Sequence, residues 1–197
     1  MIFLAFIATA TAALIELFFR GLTIVSVGYG IVVPTLLSIP LILFFVNSNL
    51  QRTGSKTIKK IYHSCLWLII VNAPGSLILH KMGIQYDRFL HFVVAFLVVP
   101  LTMLFYSLLM QLLGGGVVNL KRVLKGTFFV VLAGLFLWEG YQYIIDQFFG
   151  TTLFFDVIQD IEVDFWEDIF FGFLGLVIGY LYYSISPKRL EEIFKLN

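Results

Sequence analysis

The sequence predicts an all-α polytopic integral membrane protein, a single bundle of about six transmembrane helices over residues 1–197. Three observations predict it. Hydrophobic residues make up 60% of the chain and charged residues only 13%, where a soluble domain carries about 25% charged residues. Windows of roughly 20 apolar residues, the length that crosses the hydrocarbon core as a helix, recur along nearly the whole sequence. The basic residues fall in short runs between those windows.

Six spans are expected, at about 2–19, 22–46, 61–79, 87–113, 127–149 and 164–184. The first, MIFLAFIATATAALIELFF, contains an ATA that resembles a signal-peptide cleavage site. It lacks the positively charged segment such peptides begin with, so it reads as an uncleaved helix. Glu16, near its far end, stands four residues before Arg20, where a local ion pair suffices. The second span is continuous. The third is interrupted by Asn72, Pro74 and Gly75, and proline removes a backbone donor and breaks the ladder. Cys65, the single cysteine, lies in this span and reads as a small buried hydrophobe. His63 and His80 near its two ends read as interfacial. The fourth span opens on YDRFLH, residues 86–91. The fifth contains LFLWEGYQYIIDQFF. The sixth follows FDVIQDIEVDFWEDIFFG and holds Gly172, Gly175 and Gly179, which permit close helix approach; Tyr182 and Tyr183 suit an interfacial belt.

Arg52, Lys56, Lys59 and Lys60 lie between spans two and three, Lys121, Arg122 and Lys125 between four and five, and Lys188, Arg189 and Lys195 after six. The positive-inside rule puts all three segments in the cytoplasm and, with an even number of spans, both termini as well. The host membrane expected is a prokaryotic cytoplasmic membrane. Net charge is +1, and the basic residues form no helical stripe, so no nucleic-acid partner is implied. The GGG at 114–116 reads as a hinge or turn.

Acidity is concentrated. Eight of the twelve acids lie between Glu139 and Asp168, and no lysine or arginine falls between Lys125 and Lys188. Glu139, Gln142 and Asp146 recur at i, i+3 and i+7 and share one helical face. Glu139 is ten residues from the outer end of its span, about 15 Å deep. Asp156, Asp160, Asp164 and Asp168 recur every four residues. Like charges at that spacing repel on a helix, so a cation, protonation or solvation must compensate. Asp156 and Asp160 read as loop or interfacial acids, and Asp164 as a possible helix cap. Asp87 and His91 share a face at the outer start of span four; a cap is an alternative role for Asp87 too. Ionisable groups inside spans cost about 2.5–3.5 kcal/mol each on insertion scales and usually face the bundle interior. Spans four, five and six are therefore expected to enclose an outward-opening acidic pocket.

YDRFLHF at 86–92, WEGYQ at 138–142, GT at 150–151 and DFWEDIFFGFLG at 164–175 resemble the YjdF-like integral membrane family and, more distantly, VanZ-like proteins. The resemblance covers roughly residues 84–182, and the positions that match are Asp87, Arg88, His91, Glu139, Asp164 and Asp168. Gln142 matches the VanZ-like form alone. Asp168 stands where that form prefers asparagine, and the aspartate spacing before Asp164 is four where the YjdF-like pattern has three. The resemblance implies a small multi-pass membrane protein with a role at the cell envelope, as VanZ-like members are associated with resistance to glycopeptide antibiotics.

Three functional classes follow. In the first, Asp87, His91, Asp164 and Asp168 ligate a divalent cation such as Mg, Mn or Zn, Glu139 is a ligand or general base, and Arg88 and Gln142 bind a lipid-linked substrate. In the second, the acids form a proton or cation site of a small transporter or non-enzymatic envelope factor. In the third, the polar cluster is purely structural and holds four helices in register. Neither HExxH, nor a Gly-x-Ser-x-Gly elbow, nor a Walker loop occurs in the sequence.

Overall fold

A computed structural model of the chain describes residues 2–20, 27–47, 51, 55–74, 86–113, 119–149 and 160–186. They form six helices and, among the described residues, no strand: α1 (Ile2–Arg20), α2 (Gly28–Val46), α3 (Ser55–Pro74), α4 (Asp87–Leu112), α5 (Leu120–Phe149) and α6 (Ile161–Ile185). Arg52, His80, residues 114–116, Asp156 and the basic residues after 187 lie outside the described residues. Three helices, α2, α4 and α6, are long and apolar enough to cross a membrane, and Ile2–Phe18 is a shorter apolar stretch. The least apolar helices are α3 and α5.

Helix boundaries follow the backbone rather than the apolar windows. α3 begins at Ser55, six residues before the expected span, and α5 at Leu120, seven before. The added turns hold Lys56, Lys59 and Lys60 in one case and Lys121, Arg122 and Lys125 in the other. Lysine and arginine are good helix formers, so the helix continues where hydrophobicity stops. The predicted end of the third span, 75–79, lies outside the described residues, and α3 is recorded up to Pro74 itself. α2 opens with a π-helical turn over Gly28–Val32 and contains Pro40 in its interior.

The helices pack as two triplets that share α4. α1, α2 and α3 enclose Ala5, Ala12, Leu37, Ile61 and Tyr62, with Leu104 and Leu108 of α4 closing the cluster. On the other side of α4, Val99 and Met103 meet Val123, Leu124 and Val131 of α5 and Leu176 of α6. α3 is held to α4 at both ends. The Tyr86 hydroxyl donates to the Val71 carbonyl at 3.0 Å, and the Gln111 amide donates to the Thr57 hydroxyl at 3.1 Å.

α4 and α6 make the most extensive interface in the bundle. They run parallel, since Gly175 abuts Phe92 and Gly179 abuts Phe96 and Val99. A Cβ at Gly175 would collide with the Phe92 carbonyl oxygen and lie 2.9 Å from its carbon. Only glycine permits that approach of backbone to backbone. On the outside of the bundle large apolar side chains are left bare, among them Phe18, Phe45, Leu137 and Phe170. A water-soluble surface does not carry so many; a lipid-facing one does.

Candidate functional site

The close crossing at Gly175 determines what meets above it. His91 precedes Phe92 by one residue, and Asp168 precedes Gly175 by seven, two helical turns towards the start of α6. Gly172 presses against the Leu135 side chain of α5, and Glu139 lies one turn beyond Leu135. Three helices thus deliver their polar residues to one level of the bundle.

His91 is the hub. Its Nε2 lies 3.5 Å from Asp87 Oδ1, on the same helix, and 3.4 Å from Asp168 Oδ2 of α6. Its Nδ1 lies 3.2 Å from Glu139 Oε1 of α5. The Asp168 and Glu139 side chains are only 7% and 3% exposed, His91 15% and Asp87 35%. The site is therefore closed on the α5 and α6 sides and opens at Asp87. Ligand atoms of Asp87, His91 and Asp168 all lie within 4.8 Å of one another, a spacing that could hold a metal ion. Although close to Nδ1, Glu139 Oε1 is buried without an aligned hydrogen bond.

The caps fall elsewhere than expected. Asp160 caps α6, its Oδ1 accepting from the Glu162 N–H at 2.9 Å, so Asp164 is not the cap. Asp164 sits one turn inside, 5% exposed. The residue before α4, Tyr86, makes no side-chain cap, and Asp87 is already helical. Its carboxylate faces His91.

The sequence expectation of one undivided pocket is refined into two compartments. Asp164 is not part of the grouping around His91. With Gln142 and Asp146 it lines a small cleft between α5 and α6 that Glu139 and Asp168 also border. The cleft has a volume of about 20 Å³ for water-sized species. Arg88 lies apart from both compartments. Its Nη2 and Nε approach Glu167 Oε2 at 2.6 and 2.9 Å, and both side chains are about one-third exposed. Sequence reasoning missed Glu167. Its only signal was the position of Glu167 next to Asp168, a helical step away from the buried face.

Charge sharpens the arrangement. Asp87, Glu139, Asp146, Asp164 and Asp168 line this end of α4, α5 and α6, the last four of them buried. His91 faces three of them, and the Arg88 guanidinium is paired with Glu167. Taking several carboxylates out of water without positive charge is strongly unfavourable.

No family model, no curated protein and no solved structure matches this chain.

Proposed function

We propose that the chain is a membrane-embedded metal-dependent enzyme of the cell envelope, in which Asp87, His91 and Asp168 hold one divalent cation that acts on a lipid-linked substrate. The observation that carries this reading is the convergence on His91 Nε2. Its separations of 3.4 and 3.5 Å from the two aspartate oxygens are close to the edge, about 3.4 Å, of a tetrahedron with bonds of ~2.1 Å. One imidazole with two carboxylates suits Zn or Mn, and Mg less well because it prefers oxygen alone. Three protein ligands leave a coordination position open, the arrangement of catalytic rather than structural sites.

Glu139 takes a different role from the ligand or base expected of it. It stands at Nδ1, behind the ring as seen from the aspartates, where a carboxylate orients a metal-binding histidine and raises its basicity. A cation so held supplies Lewis acidity towards a phosphoryl or ester oxygen and lowers the pKa of a bound water. Asp87, the most exposed member, marks the side from which a substrate enters. The YjdF-like and VanZ-like resemblance adds support for an envelope role, since its matching positions include these four residues. With all six helices crossing and both termini cytoplasmic, as the basic segments favour, the site faces outward in the membrane.

The test is metal content and metal-dependent thermal stability of detergent-purified protein, with Asp168→Asn and His91→Ala beside the wild type. Near-stoichiometric Zn or Mn in the wild type, lost in both variants while helicity and monodispersity persist, is expected. Wild-type protein that neither retains nor is stabilised by any transition-metal ion would remove the metalloenzyme reading and favour the transporter alternative.

A further inference from the structure

We propose that Arg88 and Glu167 are the positioning pair of the metal centre, an ion pair that ties α4 to α6 and keeps Asp87, His91 and Asp168 at ligand distance. This role rests on the metalloenzyme reading and deepens it. Arg88 follows Asp87 on α4 and Glu167 precedes Asp168 on α6. The pair therefore joins the two helices at the level where two of the three ligands leave them. Arg88 Nη2 and Nε both approach one oxygen, Glu167 Oε2, at 2.6 and 2.9 Å. Successive helical residues point about 100° apart, so the pair stands beside the centre without entering it.

The need for such a tie follows from what a cation does to the contacts already present. Measured along the helices from the backbone contact of Gly175 with Phe92, Asp168 is about 10 Å away and Asp87 about 7.5 Å. Gly172, nearer the site, packs on Leu135 of α5 and not on α4. At the level of the ligands, side chains therefore connect α4 and α6: His91 meets Asp168 at 3.4 Å and Arg88 meets Glu167 at 2.6 Å. Metal ligands bind as a deprotonated imidazole nitrogen and carboxylate. A cation taken up by His91 Nε2 and Asp168 thus replaces their direct contact, and no hydrogen bond between them holds the spacing. The Arg88–Glu167 pair survives that exchange, because a guanidinium stays protonated and its partner lies outside the ligand set. Both side chains are about one-third exposed, where an ion pair adds little to stability. Its effect is on spacing, and supports that orient metal ligands typically change affinity 10–100-fold.

The experiment titrates Mn²⁺ calorimetrically into chelator-treated, detergent-purified protein and measures metal-free thermal midpoints in parallel. Wild type, Arg88→Gln, Glu167→Gln, the two combined, and the charge exchange Arg88→Glu with Glu167→Arg are compared. Each single variant is expected to lose about tenfold in Mn²⁺ affinity, the combination to lose no more, and the exchange to recover to within about threefold of wild type. Metal-free midpoints should stay within about 4 °C of wild type. The sign of the Arg88 effect separates positioning from charge alone. A guanidinium acting only through its field repels the cation, so removing it would tighten Mn²⁺ binding, whereas losing a tie weakens it. Tighter binding by Arg88→Gln, losses that add in the combination, or an exchange no better than the single variants overturns the positioning role. So do single variants that bind as wild type does. Midpoints that collapse in both single variants overturn it too, because the pair then holds the fold and not the ligands. In all these outcomes wild type still binds Mn²⁺ and the metal centre stands. A wild type that binds no Mn²⁺ removes the centre and the role of the pair together.

Discussion

The two triplets of helices bury polar groups in opposite ways. In α1–α3 the buried hydroxyls of Thr9 and Tyr62 are settled singly against backbone carbonyls, and that of Thr57 accepts from the neutral Gln111 amide. Thr9 donates to Ala5 at 2.8 Å, and the fully buried Tyr62 hydroxyl donates to Leu37 across to α2. In α4–α6 the buried polar groups are mostly charged and face one another, with His91 between three carboxylates. A backbone carbonyl is an obligatory acceptor in any helix, so the first pattern needs nothing beyond the fold. Clustered carboxylates are unfavourable until something positive joins them. The difference separates polarity settled mainly on the backbone from polarity settled between charged side chains.

The largest expected effect tests whether the charged triplet depends on backbone contact. Gly175→Ala places a methyl on the Phe92 carbonyl, and backbone cannot yield cheaply. Gly172→Ala meets only the end of the flexible Leu135 side chain, 2.6 Å from the new carbon. Overpacking costs about 1–3 kcal/mol, more where backbone must move. Gly175→Ala should fall at or above the top of that range and lose ion binding with it, while Gly172→Ala falls near the bottom. Thermal midpoints in detergent check the order. Equal midpoints would mean that the α4–α6 crossing is not what sets the site.

How much of this was legible follows from the range of each signal. Asp87 and His91 sit four apart on one helix, so their shared face could be read from spacing alone. Glu139 and Asp168 could be picked out as acids within apolar windows, but nothing local says that Glu139 meets Nδ1 and Asp168 meets Nε2. That depends on where Gly175 lets α6 cross α4. Asp164 shares the four-residue stripe with Asp168, yet one turn along a helix is about 5.4 Å. That distance is enough to move it from the histidine to the cleft. Arg88 and Glu167 are 79 residues apart in sequence, and no pattern announces such a pair. The early starts of α3 and α5 were hidden because apolar windows detect lipid contact, not helix, and their first turns are basic.

An intermediate effect sets one buried acid of each triplet against the other. Glu16 of α1 is fully buried, and Glu139 nearly so. Replacing a carboxylate that orients a metal-binding histidine typically costs 10–100-fold in metal affinity. Glu139→Gln is expected to weaken Mn²⁺ or Zn²⁺ binding by about that factor, and Glu16→Gln to leave it within about twofold. Calorimetric titration of both variants decides. A comparable loss in Glu16→Gln would join the two triplets into one electrostatic unit and end the distinction.

The smallest effect belongs to Tyr62. Its ring is packed within the first core, against Phe6 at a centroid separation of 6.3 Å, so Tyr62→Phe removes only the hydroxyl and its bond to Leu37. A net hydrogen bond is worth about 0.5–1.5 kcal/mol, and the Leu37 carbonyl loses its side-chain donor. The expected outcome is a drop of that size in stability to denaturant in detergent, with ion binding unchanged. Tyr62 bonds to α2 and packs in a core that α4 closes with Leu104 and Leu108, whereas His91 lies on α4 thirteen residues before Leu104. If the site is insulated as the packing implies, a stability loss in the first triplet should not reach it. A Tyr62→Phe protein that is barely destabilised but binds its ion severalfold more weakly would show that α4 transmits strain between the triplets. The shared wall would then be a coupling element rather than a partition.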